Sequence, residues 1–273
     1  MTDITLGAGA IKTDQEGYLK LIDFYESCTK HKNDKIIIGF ENITWIDGNM
    51  AALLMAIIQK IEKENMLSSF VDEEVIKARF DILIKNGWLK GVEFVQGLNK
   101  TEIKLTGFDK SEDVKFIQYI ENELLSNHNL FIPEDVKNRL IDAFLELFCN
   151  VQKHARTDSP IFACGQYYPS LKRLGFTLVD CGVGYLPPIM EFTNNEIKTS
   201  TDAILWALKG NTTKLDAPGG LGLKEIQKFC SDSGSTFVII TGDAYWTNYQ
   251  LFPTKIKPFC GTIVNVIFDC KRS

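Results

Sequence analysis

Residues 146–155 read Glu-Leu-Phe-Cys-Asn-Val-Gln-Lys-His-Ala, and three of them are set up to do chemistry together. The pattern predicts a helix over 133–155, where Glu146, Asn150 and His154 stand four residues apart. Each step of four turns only about 40° around a helix, so the three polar groups form one stripe. Leu140, Phe144, Leu147 and Val151 make an apolar face beside that stripe, which puts the stripe at a cleft edge. A carboxylate there can orient or deprotonate a nucleophile.

Three further stretches follow. The run Leu174-Gly-Phe-Thr-Leu-Val179 reads as a buried strand that delivers Asp180 to its end, followed by Cys181-Gly-Val-Gly184. A carboxylate in that place accepts a hydrogen bond from an amine and repels a carbonyl, which separates adenine from guanine. Gly182 and Gly184 let the chain turn tightly. Gly219-Gly-Leu-Gly-Leu223 opens a helix, leaving backbone N–H groups for phosphate oxygens. Gly261-Thr262 opens the last strand. Taken singly, each has a plainer structural reading: a solvated helix flank, an Asp-x-Gly turn, a helix start, a strand threonine. The Gly-Lys-Ser/Thr ending of a Walker loop is absent.

In this order and at these spacings, the four stretches resemble the N, G1, G2 and G3 boxes of the GHKL (Bergerat-fold, histidine-kinase-like) ATPase superfamily. The resemblance implies ATP and Mg²⁺ as cofactors, with Asn150 on the metal and Glu146 as the catalytic carboxylate. It implies that Asp180, Gly182, Gly184 and Thr262 form the base pocket. Lys153 and His154 match positions near the phosphates. Gly220, Leu221, Gly222 and Leu223 match the phosphate-binding glycine box, with Gly219 fitting it less well. The stretch 185–218 matches the superfamily's ATP lid, and Thr212, Thr213 and Lys214 are its candidate γ-phosphate contacts. A histidine phospho-acceptor would need its own dimerisation helix, and none is readable.

The elements that must position these groups form two parts. Before the polar break at Ser126-Asn-His-Asn129, a strand (35–40), a loop (Asn42-Ile-Thr-Trp-Ile-Asp-Gly48) and an apolar helix (50–63) resemble a STAS domain, the sulfate-transporter and anti-sigma-antagonist fold. There the loop commonly carries Asp-Ser, and the serine is phosphorylated. Here Asp47-Gly48-Asn49 has no hydroxyl, and Gly48→Ser would restore one. A helix over 73–86, a strand over 101–105 and a helix over 112–125 lead to the second part. After the break the order is helix (133–155), strands (160–168, 173–180), a variable segment (185–218) with a short helix (202–209), helix (221–231) and strands (235–242, 261–269). The fold class is therefore α/β (α+β): a STAS-like region over 1–126, and over 127–273 a Bergerat-type helix layer on a mixed sheet.

The resemblance extends to bacterial STAS-like/ATP-binding proteins related to anti-sigma-factor serine kinases. It implies a Mg-ATP-binding regulatory protein acting as a serine/threonine kinase on a STAS-like partner. Two alternatives stay open: an ATP-gated interaction switch with slow or no hydrolysis, and a slow dimerising ATPase, which would make the chain a homodimer.

Composition sets the outer limits. The 273 residues are 45% hydrophobic and 24% charged, enough for a packed core. A net charge of −5 provides no basic footprint for nucleic acid. Seven scattered cysteines, with no Cys-x-x-Cys pair, read as free thiols of a reducing cytosol and not as a zinc site. No signal-peptide pattern opens the chain, and the longest apolar run, Met50 to Ile58, is too short to span a bilayer. A soluble, cytoplasmic protein with no membrane partner is the expectation.

Overall fold

The computed structural model describes residues 1–89, 100–213 and 220–271. The chain opens with β1 (Thr2–Thr5), β2 (Gly9–Ile11) and helix α1 (Gln15–Thr29). Asp14 caps α1, its carboxylate accepting the Gly17 N–H at 2.9 Å. β3 (Lys35–Gly39) and β4 (Ile43–Ile46) follow. A single tight helical turn, Gly48–Met50, then leads into α2 (Ala51–Glu64). β5 (Ser68–Val71), α3 (Glu73–Arg79) and α4 (Asp81–Lys85) complete this part. The helix expected over 73–86 is broken at Phe80, whose φ of −132° and ψ of 57° are not helical.

β1, β3 and β5 form a parallel three-stranded sheet, and β2 pairs with β4 in parallel. Parallel neighbours need a crossover, and α1 and α2 provide it.

The second part begins at β6 (Glu102–Phe108), continues through α5 (Asp113–Tyr119), and widens into a π-helical stretch, Ile120–Leu125. Then come α6 (Glu134–His154), β7 (Ile161–Tyr168), β8 (Arg173–Asp180), α7 (Leu186–Phe192), α8 (Ser200–Leu208), α9 (Gly222–Ser233), β9 (Thr236–Thr247) and β10 (Thr254–Asp269). The five strands are ordered β6-β7-β8-β10-β9. The strand expected near 101–105 thus pairs with β7, placing residues 102–125 with the second sheet instead of the N-terminal region.

The expected mixed character of this sheet is corrected: all four of its strand pairs are antiparallel. Short turns join β7 to β8 and β9 to β10, and short turns join only antiparallel neighbours. β8 and β9 run the same way, but β10 lies between them. The molecule as a whole is mixed α and β, with parallel pairing confined to the N-terminal sheets.

Both faces of the five-stranded sheet are covered. On one face, Phe144, Leu147 and Phe148 of α6 and Ile226 and Cys230 of α9 pack with Phe176, Leu178 and Val266. Phe116 stacks on Phe148 with ring centres 4.6 Å apart, tying α5 to α6. On the other face, Phe162, Cys164, Val179 and Ile263 share one continuous core with Leu53, Leu54, Ile57 and Ile58 of α2 and Tyr18, Leu21 and Ile22 of α1.

Polar groups seal that second junction. The buried Asn49 amide donates to Thr177 Oγ1 at 3.0 Å, and its oxygen accepts from Thr13 Oγ1 and Tyr168 OH, each at 3.1 Å. Gly48 N–H donates to Gln166 Oε1 at 2.7 Å. Gly175 makes room: a Cβ there would lie 2.9 Å from the Asn49 oxygen. No described helix is long and apolar enough to cross a membrane.

Candidate functional site

α6 crosses the sheet with Leu140, Ala143, Phe144, Leu147 and Phe148 buried. Glu134 and Asp135 occupy its first turn and Lys153 and His154 its last, matching charge to the helix dipole at both ends. The expected apolar face is present, except that Val151 is only half buried because it lines a cavity. That cavity lies between α6, the end of β8, α7–α8 and the start of α9. With its mouth it encloses about 900 Å³, within the range of ordinary small-molecule sites. Its inner wall is apolar, built from Leu147, Val151, Ile161, Leu178, Ile189 and Val264.

Asp180 sits at the inner end, only 4% exposed. Every β8 residue from Leu174 to Asp180 is buried, so the strand carries a carboxylate into the core. Burial pushes its carboxyl up to about 6, against the lowering effect of hydrogen bonds from the Gly182 N–H and from Thr262. The Gly182 bond measures 2.8 Å. Thr262 lies directly opposite Asp180 in the β8–β10 pairing and also lines the cavity.

The turn after Asp180 is dictated by space. A Cβ on Gly182 would stand 2.3 Å from the Ala155 carbonyl oxygen at the end of α6. Gly184 has φ +73°, and a Cβ there would meet Thr241 Oγ1 at 2.5 Å. Thr241 is a residue the sequence did not single out. Its hydroxyl accepts the Tyr185 N–H at 2.9 Å and donates to the Gly261 carbonyl at 3.1 Å, knitting the turn to β10.

Asn150 and His154 of α6 line the same cavity. His154 Nε2 is 3.1 Å from Thr213 Oγ1, and Thr212 and Thr213 both face the cavity. Glu146, one turn earlier on α6, lines it as well. Its two carboxylate oxygens accept the backbone N–H groups of Gly220 and of Gly222, the latter at 2.8 Å. N–H groups at the start of a helix have no intrahelical acceptor, an anion-holding arrangement that a carboxylate of the chain fills here. Gly220 has φ +81°, and a Cβ there would meet the Gly210 carbonyl at 2.4 Å.

Of the residues singled out, Glu146, Asn150, His154, Asp180 and Gly184 line this one cavity, as do Thr212, Thr213, Gly220, Leu223 and Thr262. Gly182 and Gly222 shape its walls through their backbones. Lys153 is exposed on α6, outside the lining, because the helix turns it away from the stripe. Leu221 is 53% exposed and also outside it. Lys214 and Gly219 fall outside the described residues. The sequence did not point to Tyr185, Trp206 or Asn211, which complete the rim. Aromatic and amide residues in a variable segment carry no periodic signal that would mark them.

Among the described residues, no cluster of three His, Cys, Asp or Glu side chains could hold a metal by itself. Asn150 would hold a divalent cation only together with oxygens brought by a ligand, which suits Mg²⁺, an ion that keeps waters and shares phosphate ligands. The fit to a purine nucleotide rests on the donor set: a buried acceptor among apolar side chains, with an amide, hydroxyls and a glycine backbone in the same lining. No protein-family model matches the chain, and no curated protein or solved structure does so.

Proposed function

We propose that the chain is a Mg-ATP-binding regulatory protein of the GHKL type. One observation carries this reading: Asp180, buried at the apolar end, and Asn150, on the facing helix, line the same cavity. Asp180 accepts a hydrogen bond from the exocyclic amine of adenine. Leu147, Val151, Leu178 and Val264 enclose the base. Asn150 holds the metal, and the Gly220–Gly222 backbone with the start of α9 holds phosphate oxygens. The bound Mg-ATP supplies an electrophilic terminal phosphoryl group.

Resemblance implies a serine/threonine kinase acting on a STAS-like protein, with Glu146 orienting the attacking hydroxyl. One structural observation favours the second reading, an ATP-gated switch: both Glu146 oxygens are held by Gly220 and Gly222. In this form the carboxylate occupies the phosphate cradle. Ligand entry must move it, and that movement is the gating event. A slow dimerising ATPase is the remaining alternative.

Binding is tested by titrating the purified chain with ATP and GTP, with and without Mg²⁺. ATP should bind and GTP should not. Asp180→Asn should lower ATP affinity by at least about tenfold, the loss of one charge-assisted hydrogen bond. Asn150→Ala should weaken Mg²⁺-dependent binding and leave metal-free binding nearly unchanged. Equal affinity of the wild type and Asp180→Asn would end the base-recognition reading. Incubation with γ-labelled ATP and a STAS-like protein then separates the activities. Label on the partner marks a kinase, free phosphate an ATPase, and bound ATP with neither product a switch.

A further inference from the structure

Where α1 and α2 cross the ends of β8 and β10, five reactive or ionisable side chains gather: Tyr25, Lys60, Glu64, Cys181 and Cys260. Lys60 is buried. Its ammonium donates to Glu64 Oε1 at 2.7 Å and to the Cys181 carbonyl at 3.3 Å. Cys181 follows Asp180, and Cys260 precedes Gly261. Pairing of Thr262 with Asp180 sets residues 181 and 260 at adjoining positions on neighbouring strands, where the register of β10 is irregular between Phe259 and Thr262. The strands come close here because Gly261 lacks a side chain; a Cβ on it would lie 2.8 Å from the Cys181 Cα. Cys181 is buried in the core that the sheet shares with α1 and α2, and Tyr25 and Cys260 pack against that same core, which sets the two thiols on one face.

The two sulfurs are not equivalent. Cys181 is 2% exposed, whereas Cys260 is half-buried. The neighbouring Cys181 thiol, then the Lys60 charge, hold the Cys260 thiol below its usual range despite burial. The neighbouring Cys260 thiol and burial raise Cys181. Elsewhere, burial pushes up the thiols of Cys28, Cys164, Cys230 and Cys270.

We propose that Cys181 and Cys260 form a reversible dithiol–disulfide site that responds to hydroperoxides, with Cys260 the attacking thiol and Cys181 the resolving one. The Cys260 thiolate attacks the hydroperoxide: an S–O bond forms, the O–O bond breaks, and the departing oxygen leaves as water or alcohol after taking up a proton. Cys181 then gives up its proton and attacks the Cys260 sulfenic sulfur. An S–S bond forms, the S–O bond breaks and water leaves. Two electrons have passed from the thiol pair to the hydroperoxide, and a dithiol reductant reverses the link. Lys60 is a positioning residue that keeps positive charge beside the pair. The chemistry is independent of the nucleotide reading, although it lies one residue from Asp180.

The test uses the full chain and hydrogen peroxide, followed by maleimide quenching and non-reducing peptide mapping by mass. The expected product is a Cys181–Cys260 peptide lacking two hydrogens and reversed by dithiothreitol, with Cys149 still open to alkylation. Cys181→Ser should stall Cys260 as a dimedone-trappable sulfenic acid. Lys60→Met should slow oxidation several-fold. If these variants fold poorly, maleimide rates on the wild-type chain decide: Cys260 should react several-fold faster than Cys149. Oxidation of Cys260 to sulfinic acid without a link, or Cys149 reacting as fast as Cys260, would overturn the proposal.

Discussion

Asp180 carries a carboxyl raised to about 6 by burial, and this has opposite consequences for stability and for binding. Its folded value lies above the ordinary 3.8, so the native state holds this proton more tightly than the unfolded chain does. Its contribution to stability is present below about pH 4 and lost as pH rises through about 6. An amine donor in the cavity favours the ionised form. ATP affinity should therefore rise with pH up to about 6 and level off above it, changing by about tenfold per unit on the acid side. Titrations between pH 5 and 8 check this, and Asp180→Asn should remove the dependence. Glu146→Gln tests the neighbouring latch. It weakens the hold on Gly220 and Gly222 and should lower stability by about 1 kcal/mol. ATP affinity should hold or increase while any phosphoryl transfer falls. A collapse of affinity in that variant would mean Glu146 holds ligand and does not compete with it. The Asp180 reading was available from sequence because an apolar strand run ending in a carboxylate is locally marked. Thr241 was not, since a lone strand threonine acquires its meaning only from the turn it meets across two loops.

Among the elements, α6 and α9 follow directly from periodicity and glycine placement, and the structure sets them within a residue or two of the expected bounds. Gly234, with φ +70°, is the left-handed residue that ends α9. Strand pairing was less legible. Short apolar runs mark strands without naming their neighbours, so the antiparallel five-stranded order and the membership of β6 emerged only in three dimensions. The break of α3 from α4 at Phe80 was also hidden, because the aromatic continues the apolar pattern it interrupts. The turn that joins β8 to the end of α6 supports a prediction at this scale. Gly182→Ala brings a Cβ to within 2.3 Å of the Ala155 carbonyl, a backbone atom that cannot swing aside. It should destabilise the fold by about 1–3 kcal/mol, measured by denaturant unfolding, and should weaken ATP binding by displacing Asp180. Gly234→Ala, with nothing within 4 Å of the added carbon, should cost only left-handed backbone strain and leave binding intact.

At the level of the whole molecule, the N-terminal part is a layer of the same core, not a module on a tether. The Asp47-Gly48-Asn49 turn, matched by sequence to a phosphorylation loop, is turned inward on Gln166, Tyr168 and Thr177. A Cβ at Gly48 would lie 2.5 Å from Ile82 Cγ1 and 2.7 Å from Gln166 Oε1. Gly48→Ser should therefore destabilise the protein by about 1–3 kcal/mol and remain unmodified by an active kinase in the folded state, checked by thermal unfolding and intact-mass measurement. The sequence held the turn and its missing hydroxyl. It did not hold the burial, which depends on Gly175 making room for Asn49 from 126 residues away in the chain. The sandwiching of one sheet between two sets of helices has a further consequence. Swinging the halves apart would strip water-shy surface from both, so occupancy of the cavity cannot be signalled by a hinge between them. A ligand in the cavity would therefore change the molecular surface at the rim formed by α7, α8 and the start of α9, and not at the junction of the halves.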